Sequence, residues 1–277
     1  MSDLSVEIDA FEAVYPQSPG KLGLRVASPL FDRRRLIALA QSLAPHLVKY
    51  NNGDLPISIR PEEVARPSSP AEDVIERLGL ENSWMTLRNI ENDREYAALT
   101  DKIIAAVAAS AQARTGPMLR REAFVFLSSP GALTPFHFDE EHNILIQIEG
   151  EKDVTVYSQA DRALASQRDL ERFHAGGHRN LPLRDDKKHD GVRFTLRPGD
   201  ALYIPPLAPH WVTVTGGAPA LSLSVTWRSE ATMRTAYLHQ INHRLRARGL
   251  SPRFPGRAPV ADQLKIWGQS ALRRFGR

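Results

Sequence analysis

Two histidines and one aspartate, His137, Asp139 and His210, are the residues of this chain best placed to do chemistry together. In the run Thr134-Pro-Phe-His-Phe-Asp-Glu-Glu-His-Asn143, His137 and Asp139 are separated by one residue. On an extended strand both point to one face while Phe136 and Phe138 point to the other. An imidazole and a carboxylate side by side need a further donor to hold a metal ion. The best-placed one is His210, reached through the turn Pro198-Gly-Asp, a short apolar strand and the bend Pro205-Pro-Leu-Ala-Pro. Two imidazoles and one carboxylate on one face of Fe(II) leave the opposite coordination positions open. A His-x-Asp tripeptide alone is weak evidence; its company of Asn143, Gln147, Lys152 and His210 singles it out.

The elements that must hold these residues are strands. Ile144, Ile146 and Ile148 share one face of the strand after Asp139, Gly150-Glu151 turns the chain, and Val154-Thr-Val-Tyr157 returns. Lys152 lies at the rim of that hairpin. Between Glu122 and Trp227 short strands alternate with Gly/Pro turns, which predicts a double-stranded β-helix, a jelly roll whose mouth can hold a metal and a small ligand. Within it, Asp161 to Arg172 reads as a helix in a polar insert, 159–191. That insert contains His174-Ala-Gly-Gly-His178 and His189, but two glycines argue against the helix that such spacing needs for metal binding. A mobile loop at the site entrance is the expectation.

Upstream, residues 1–30 read as an irregular lead-in. Leu36, Leu39, Ala40, Leu43 and Leu47 predict a helix from Asp32 to about Tyr50. A helix starting at Pro70 with Ser69 as N-cap, a strand from Trp84 to Ile90 and an Ala-rich helix from Asp93 to Arg114 follow. Beyond Arg228, Met233, Tyr237, Ile241 and Leu245 mark one amphipathic helix, and Leu264, Trp267, Ala271 and Phe275 mark another from about Val260. The expected organisation is a mainly β, cupin-like core with α flanks. A helical flank covers 1–120, the core 121–228, and two basic C-terminal helices 229–277.

Residues 121–228 resemble the core of the JmjC/cupin-like Fe(II)- and 2-oxoglutarate-dependent oxygenases, most of all the subgroup containing the asparaginyl hydroxylase that acts on hypoxia-inducible factor. The resemblance rests on Thr134-Pro-Phe-His137-Phe-Asp139, Asn143, Gln147-Ile-Glu-Gly150 and Lys152. It implies that His137, Asp139 and His210 hold iron, that Thr134 and Lys152 take the distal carboxylate of 2-oxoglutarate, and that Asn143 lies near its other end. A pairing role suits Lys152, because a desolvated cation is tolerable only beside an anion. The implied reaction decarboxylates 2-oxoglutarate to succinate and hydroxylates a C–H bond, first of all on a protein or peptide side chain. The alternatives are hydroxylation or demethylation of a small metabolite, and a metal-binding regulatory module without turnover. One departure is Thr226, where the closest relatives carry Asn; another is that only Tyr203 and Tyr50 present themselves as tyrosine partners for the distal carboxylate. The C-terminal helices of the subgroup suggest packing on the barrel or a homodimer.

Composition narrows the rest. With no Cys among 277 residues, disulfides and thiolate metal sites are excluded, and a cytoplasmic location is expected. No apolar run approaches spanning length, so no membrane partner is expected. The net charge of +4 hides nine Arg, one Lys and one Asp between Ala231 and Arg277, a charge of +9 that leaves −5 on residues 1–230. No DNA-reading motif accompanies the basic tail, so a solvated face is favoured over nucleic-acid binding. No Gly-rich phosphate loop or Gly-x-Ser-x-Gly elbow is present.

Overall fold

The computed structural model describes residues 3–6, 8–64, 70–80 and 82–275. Its strands form two antiparallel sheets. The larger runs β1 (Asp3–Val6), β2 (Gly20–Ala27), β10 (Asp200–Ile204), β7 (His142–Glu149), β12 (Ala220–Arg228), β5 (Leu119–Ser128), β4 (Ser83–Arg88), β3 (Val48–Asn52). The smaller runs β6 (Leu133–His137), β11 (His210–Val214), β8 (Lys152–Val156), β9 (Val192–Leu196). This is the expected jelly-roll sandwich.

Period-two alternation gives the large sheet two different faces. On one face Met85, Leu87, Val125, Ile144, Ile146, Leu223, Val225 and Trp227 are buried in the main core. Against it pack α1 (Ile8–Val14), α2 (Arg33–Ser42), α3 (Ala71–Glu76) and α4 (Arg94–Thr115), through Phe11, Leu39, Ile75 and Ile103 among others. On the other face Leu145 and Leu202 meet Val154, Val156 and Leu196 of the small sheet. The intervening positions of β4, β5, β7 and β12 line a cavity.

Several elements differ from expectation for identifiable reasons. Residues 1–30 are not irregular: in β2, Leu22, Leu24 and Val26 are buried, alternating with exposed Lys21 and Arg25, and the strand pairs with β10. The helix expected to reach Tyr50 stops at Ser42, because Pro45 has no N–H to continue it. A 3-10 turn, Pro45–Leu47, then feeds β3, which pairs with β4. The insert helix, α5 (Gln167–His174), begins later than expected: Ser166 caps it, its hydroxyl accepting from Asp169 N–H in a capping box. The Ala-rich helix, by contrast, runs as expected, with the Asp93 carboxylate capping it by accepting from the N–H groups of Glu95 and Tyr96.

After the core come α6 (Glu230–Ala247) and α7 (Pro259–Phe275). Ser69, and the side chains of Ala271 and Phe275, lie outside the described residues. Among the described residues no helix is long and apolar enough to cross a membrane.

Candidate metal centre

His137 and His210 meet because β6 and β11 are hydrogen-bonded neighbours in a register that sets the two residues directly opposite. Their rings lie 4.2 Å apart between centroids. Each is 5% exposed or less. The backbone fixes both rings in the same way: His137 Nδ1 lies 2.7 Å from Pro135 O, and His210 Nδ1 lies 3.0 Å from Ala208 O. With each Nδ1–H donating to a carbonyl, the Nε2 atoms carry the free lone pairs, as metal-ligating histidines require. Burial, then the neighbouring His137, pushes His210 down to about 3, so its ring is neutral and able to ligate at neutral pH.

Asp139 stands just beyond the end of β6, its carbonyl held by Leu207 N–H at 2.6 Å. Its Oδ2 lies 3.6 Å from His137 Nε2 and 3.7 Å from His210 Nε2. Burial alone would raise its pKa, but the Arg179 guanidinium and then His137 hold the carboxyl well below the usual range. The ligand atoms of His137, Asp139 and His210 all lie within 4.8 Å of one another, and they are the one such group of three among the described residues. Three preset donors of this kind fit a divalent transition metal.

The trio opens into a cavity of about 460 Å³, which Thr134, Asn143 and Lys152 also line. Lys152 is buried rather than at a rim: it begins β8, is 4% exposed, and its Nζ lies 5.9 Å from the Phe126 ring centroid. Among the described residues no carboxylate pairs with it, and burial pushes it down to about 7. Thr134 Oγ1 accepts from Trp84 Nε1–H at 3.1 Å, leaving the hydroxyl proton to donate. Asn143 Oδ1 accepts from Ser224 Oγ–H at 2.7 Å, which leaves its amide N–H groups to donate elsewhere. Thr226 pairs opposite Asn143 across β12 and β7 and lines the same cavity.

Other expectations go elsewhere. Tyr203 faces the opposite side of the sheet, its hydroxyl 2.7 Å from His142 Nδ1, and Tyr50 packs against that same core. Neither lines the cavity. Gln147 serves the hairpin instead: its Nε2 donates to Glu149 O at 2.6 Å and its Oε1 accepts from Ser222 Oγ–H at 2.7 Å. His174 ends α5, its Nδ1 3.4 Å from Glu140 Oε2, and its ring stacks on His239.

Sequence reasoning missed the charged mouth. Arg179 pairs with Asp139, while Arg228 pairs with Glu140 and, at 2.9 Å, with Glu141. Burial, then the nearby Asp139 and Glu140, raises Glu141 to about 7 against the pull of Arg228. A signal for Arg228 was present: counting back by twos along β12, it falls on the face of Thr226 and Ser224. Arg179 left no such trace.

The family model for the cupin-like domain matches residues 59–233, well over half of the chain. The Jumonji C domain-containing protein 5 of Drosophila melanogaster is 30% identical over 108 residues, 37% of this chain and 26% of that protein. The chain therefore aligns with about a quarter of the length of that relative. Among solved structures, the Escherichia coli ribosomal oxygenase YcfD superposes with a TM-score of 0.53 at 17% identity, over 98% of this chain and 67% of that one. The same protein in complex with cobalt and 2-oxoglutarate gives a TM-score of 0.54 at 17% identity, over 100% and 69% of the two chains. At such identities the structural likeness carries the fold.

Proposed function

The chain belongs to the cupin-like domain family, and on that premise we propose that it is an Fe(II)- and 2-oxoglutarate-dependent oxygenase that hydroxylates a protein or peptide side chain. The observation that carries this reading is the convergence of His137, Asp139 and His210 on the same cavity as a buried, unpaired Lys152. A barrel kept only for its shape has no use for that set. The YcfD complex with cobalt and 2-oxoglutarate supports the same pairing of metal and keto acid here.

In this reading residues 121–228 form the catalytic core, and His137, Asp139 and His210 hold the iron. Bound Fe(II) would supply O2 activation, coupled to decarboxylation of 2-oxoglutarate to succinate. Lys152, the one deeply buried Lys or Arg among the described residues, meets the distal carboxylate, and the Thr134 hydroxyl adds a donor. The Asn143 amide donates near the keto-acid end. Trp84, Phe124, Phe126 and Phe173 shield the cavity from water, and Arg228 with Glu140 and Glu141 borders the space left for the prime substrate.

The motif positions Thr134, Asn143 and Lys152 support a place beside the asparaginyl hydroxylase subgroup. A homodimer through the C-terminal helices is supported by exposed Val260, Leu264 and Trp267 along α7, and a cytoplasmic setting by the absence of Cys.

The test of substrate class is mass spectrometry of a host extract incubated with 2-oxoglutarate and either the wild type or Asp139→Ala. Gain of one oxygen on a polypeptide, dependent on Asp139, is the expected result. A gain confined to small metabolites, or loss of methyl groups instead, would overturn the protein-hydroxylase reading.

A further inference from the structure

The two oxygens of Asp139 are not equivalent. Oδ2 faces both imidazoles, at 3.6 and 3.7 Å from their Nε2 atoms, while Oδ1 accepts from Arg179 Nη1–H. Arg179 belongs to the insert, far from the core strands in sequence, yet its backbone is laced to β6. Its carbonyl accepts from Phe138 N–H at 3.4 Å, and the next residues follow β6 antiparallel, with Leu181 N–H donating to Phe136 O at 2.9 Å and Asn180 bridging to His137. On the outer side Asn180 Nδ2 donates to Ile59 O and Leu183 N–H to Ser58 Oγ, each at 2.8 Å. The guanidinium thus projects from a strap tied on both edges. Among the described residues Asp139 is the only carboxylate it pairs with.

We propose that Arg179 is a positioning residue that occupies Oδ1 of Asp139, so that the carboxylate meets the metal through Oδ2 alone. The inference rests on the metal reading above and deepens it. The reason such a device matters is a count of coordination positions. A carboxylate bound through both oxygens together with two imidazoles fills four of about six positions on Fe(II), which a chelating keto acid would complete, leaving none for O2. Bound through one oxygen, the same trio leaves one position over. Holding the second oxygen in a hydrogen bond to a cation prevents the switch, since a charge-assisted bond of this kind is directional as well as strong.

Charge alone predicts something different. Removing a cation beside a divalent metal should tighten metal binding, so affinity is not the diagnostic; the number of open positions is. The full chain and its Arg179→Ala and Arg179→Lys variants would be loaded with Mn(II) in place of iron, without keto acid. Water-proton relaxation then reads the exchangeable waters on the bound ion, and succinate formation with Fe(II) is followed in parallel. The side chain is about half exposed, so the variants should fold, which their thermal midpoints check.

In Arg179→Ala the coordinated-water signal should fall by about a third and succinate formation by about tenfold, with Mn(II) affinity equal or tighter. Arg179→Lys, which keeps a charged donor, should recover most of both. An Arg179→Ala protein with the wild-type water count overturns the proposal, whether or not its turnover falls, because a loss of turnover alone would make Arg179 a substrate contact. A wild type that binds no Mn(II) overturns the metal reading and the proposal with it; one that binds Mn(II) normally and shows no Arg179 effect overturns only the proposal.

Discussion

At the scale of single residues, Lys152 and Asp139 sit in the same cavity with opposite problems. Asp139 has the Arg179 guanidinium on one oxygen and two imidazoles before the other and stays charged, whereas Lys152 has no carboxylate partner among the described residues and is held at about 7 by burial. Binding a dicarboxylate requires the ammonium form, and the ligand-free protein loses that form as pH rises through about 7. The affinity for 2-oxoglutarate should therefore be highest below neutral pH and fall above it, approaching about tenfold per unit, with titration calorimetry in metal-loaded protein as the check. Lys152→Ala should bind more weakly at every pH and lose this dependence; a wild type with a flat profile between pH 7 and 9 would contradict the role. His137 and Asp139 stood out in the sequence through strand spacing, and His210 and Lys152 through the motif shared with the resembled family. Arg179 and Arg228 did not, since a surface-rich residue announces nothing until the fold decides which acid it meets.

Elements place these residues, and two of them can be tested alone. The β7–β8 turn passes through Gly150 at φ +69, where an added Cβ would lie 2.3 Å from Pro219 O and 2.9 Å from Ala220 Cα. Both obstacles are backbone, so neither can swing aside. Gly150→Ala should cost on the order of 2 kcal/mol or more in urea unfolding and, because this turn sets Lys152, weaken keto-acid binding more than metal binding. The second test is the joint between α5 and α6, where Glu171, 1% exposed, accepts from Arg246 Nε at 2.7 Å and Nη2 at 3.0 Å. Arg246→Met strands a buried carboxylate and should destabilise by about 3 kcal/mol, while adding Glu171→Met should restore much of that loss. Hairpin and core strands were readable from alternation and glycine. The strand β2 was equally regular, but its short run between Gly and Pro residues was masked by the turn signals around it. The helix ending at Ser42 was overextended because Leu43 and Leu47 kept the spacing while Pro45 broke the backbone.

Across the whole molecule, the arrangement is a division of labour between the two faces of one large sheet. One face buries aliphatic and aromatic side chains against four N-terminal helices, and the other presents polar and aromatic ones to a cavity closed by the smaller sheet. A sequence shows each strand's alternation but not which strands are neighbours. The convergence of His137 with His210 depended on the β6–β11 register, and the inclusion of β2, β3 and β4 in the large sheet depended on long-range pairing. In the proposed reading this frame serves one reactive metal beside one keto-acid pocket, an arrangement open to a direct test. It is tested most directly by succinate formation in purified protein supplied with Fe(II), 2-oxoglutarate and O2, without prime substrate. Slow turnover in the wild type that disappears in both His137→Ala and Asp139→Ala is the predicted result; equal succinate from all three proteins would contradict it.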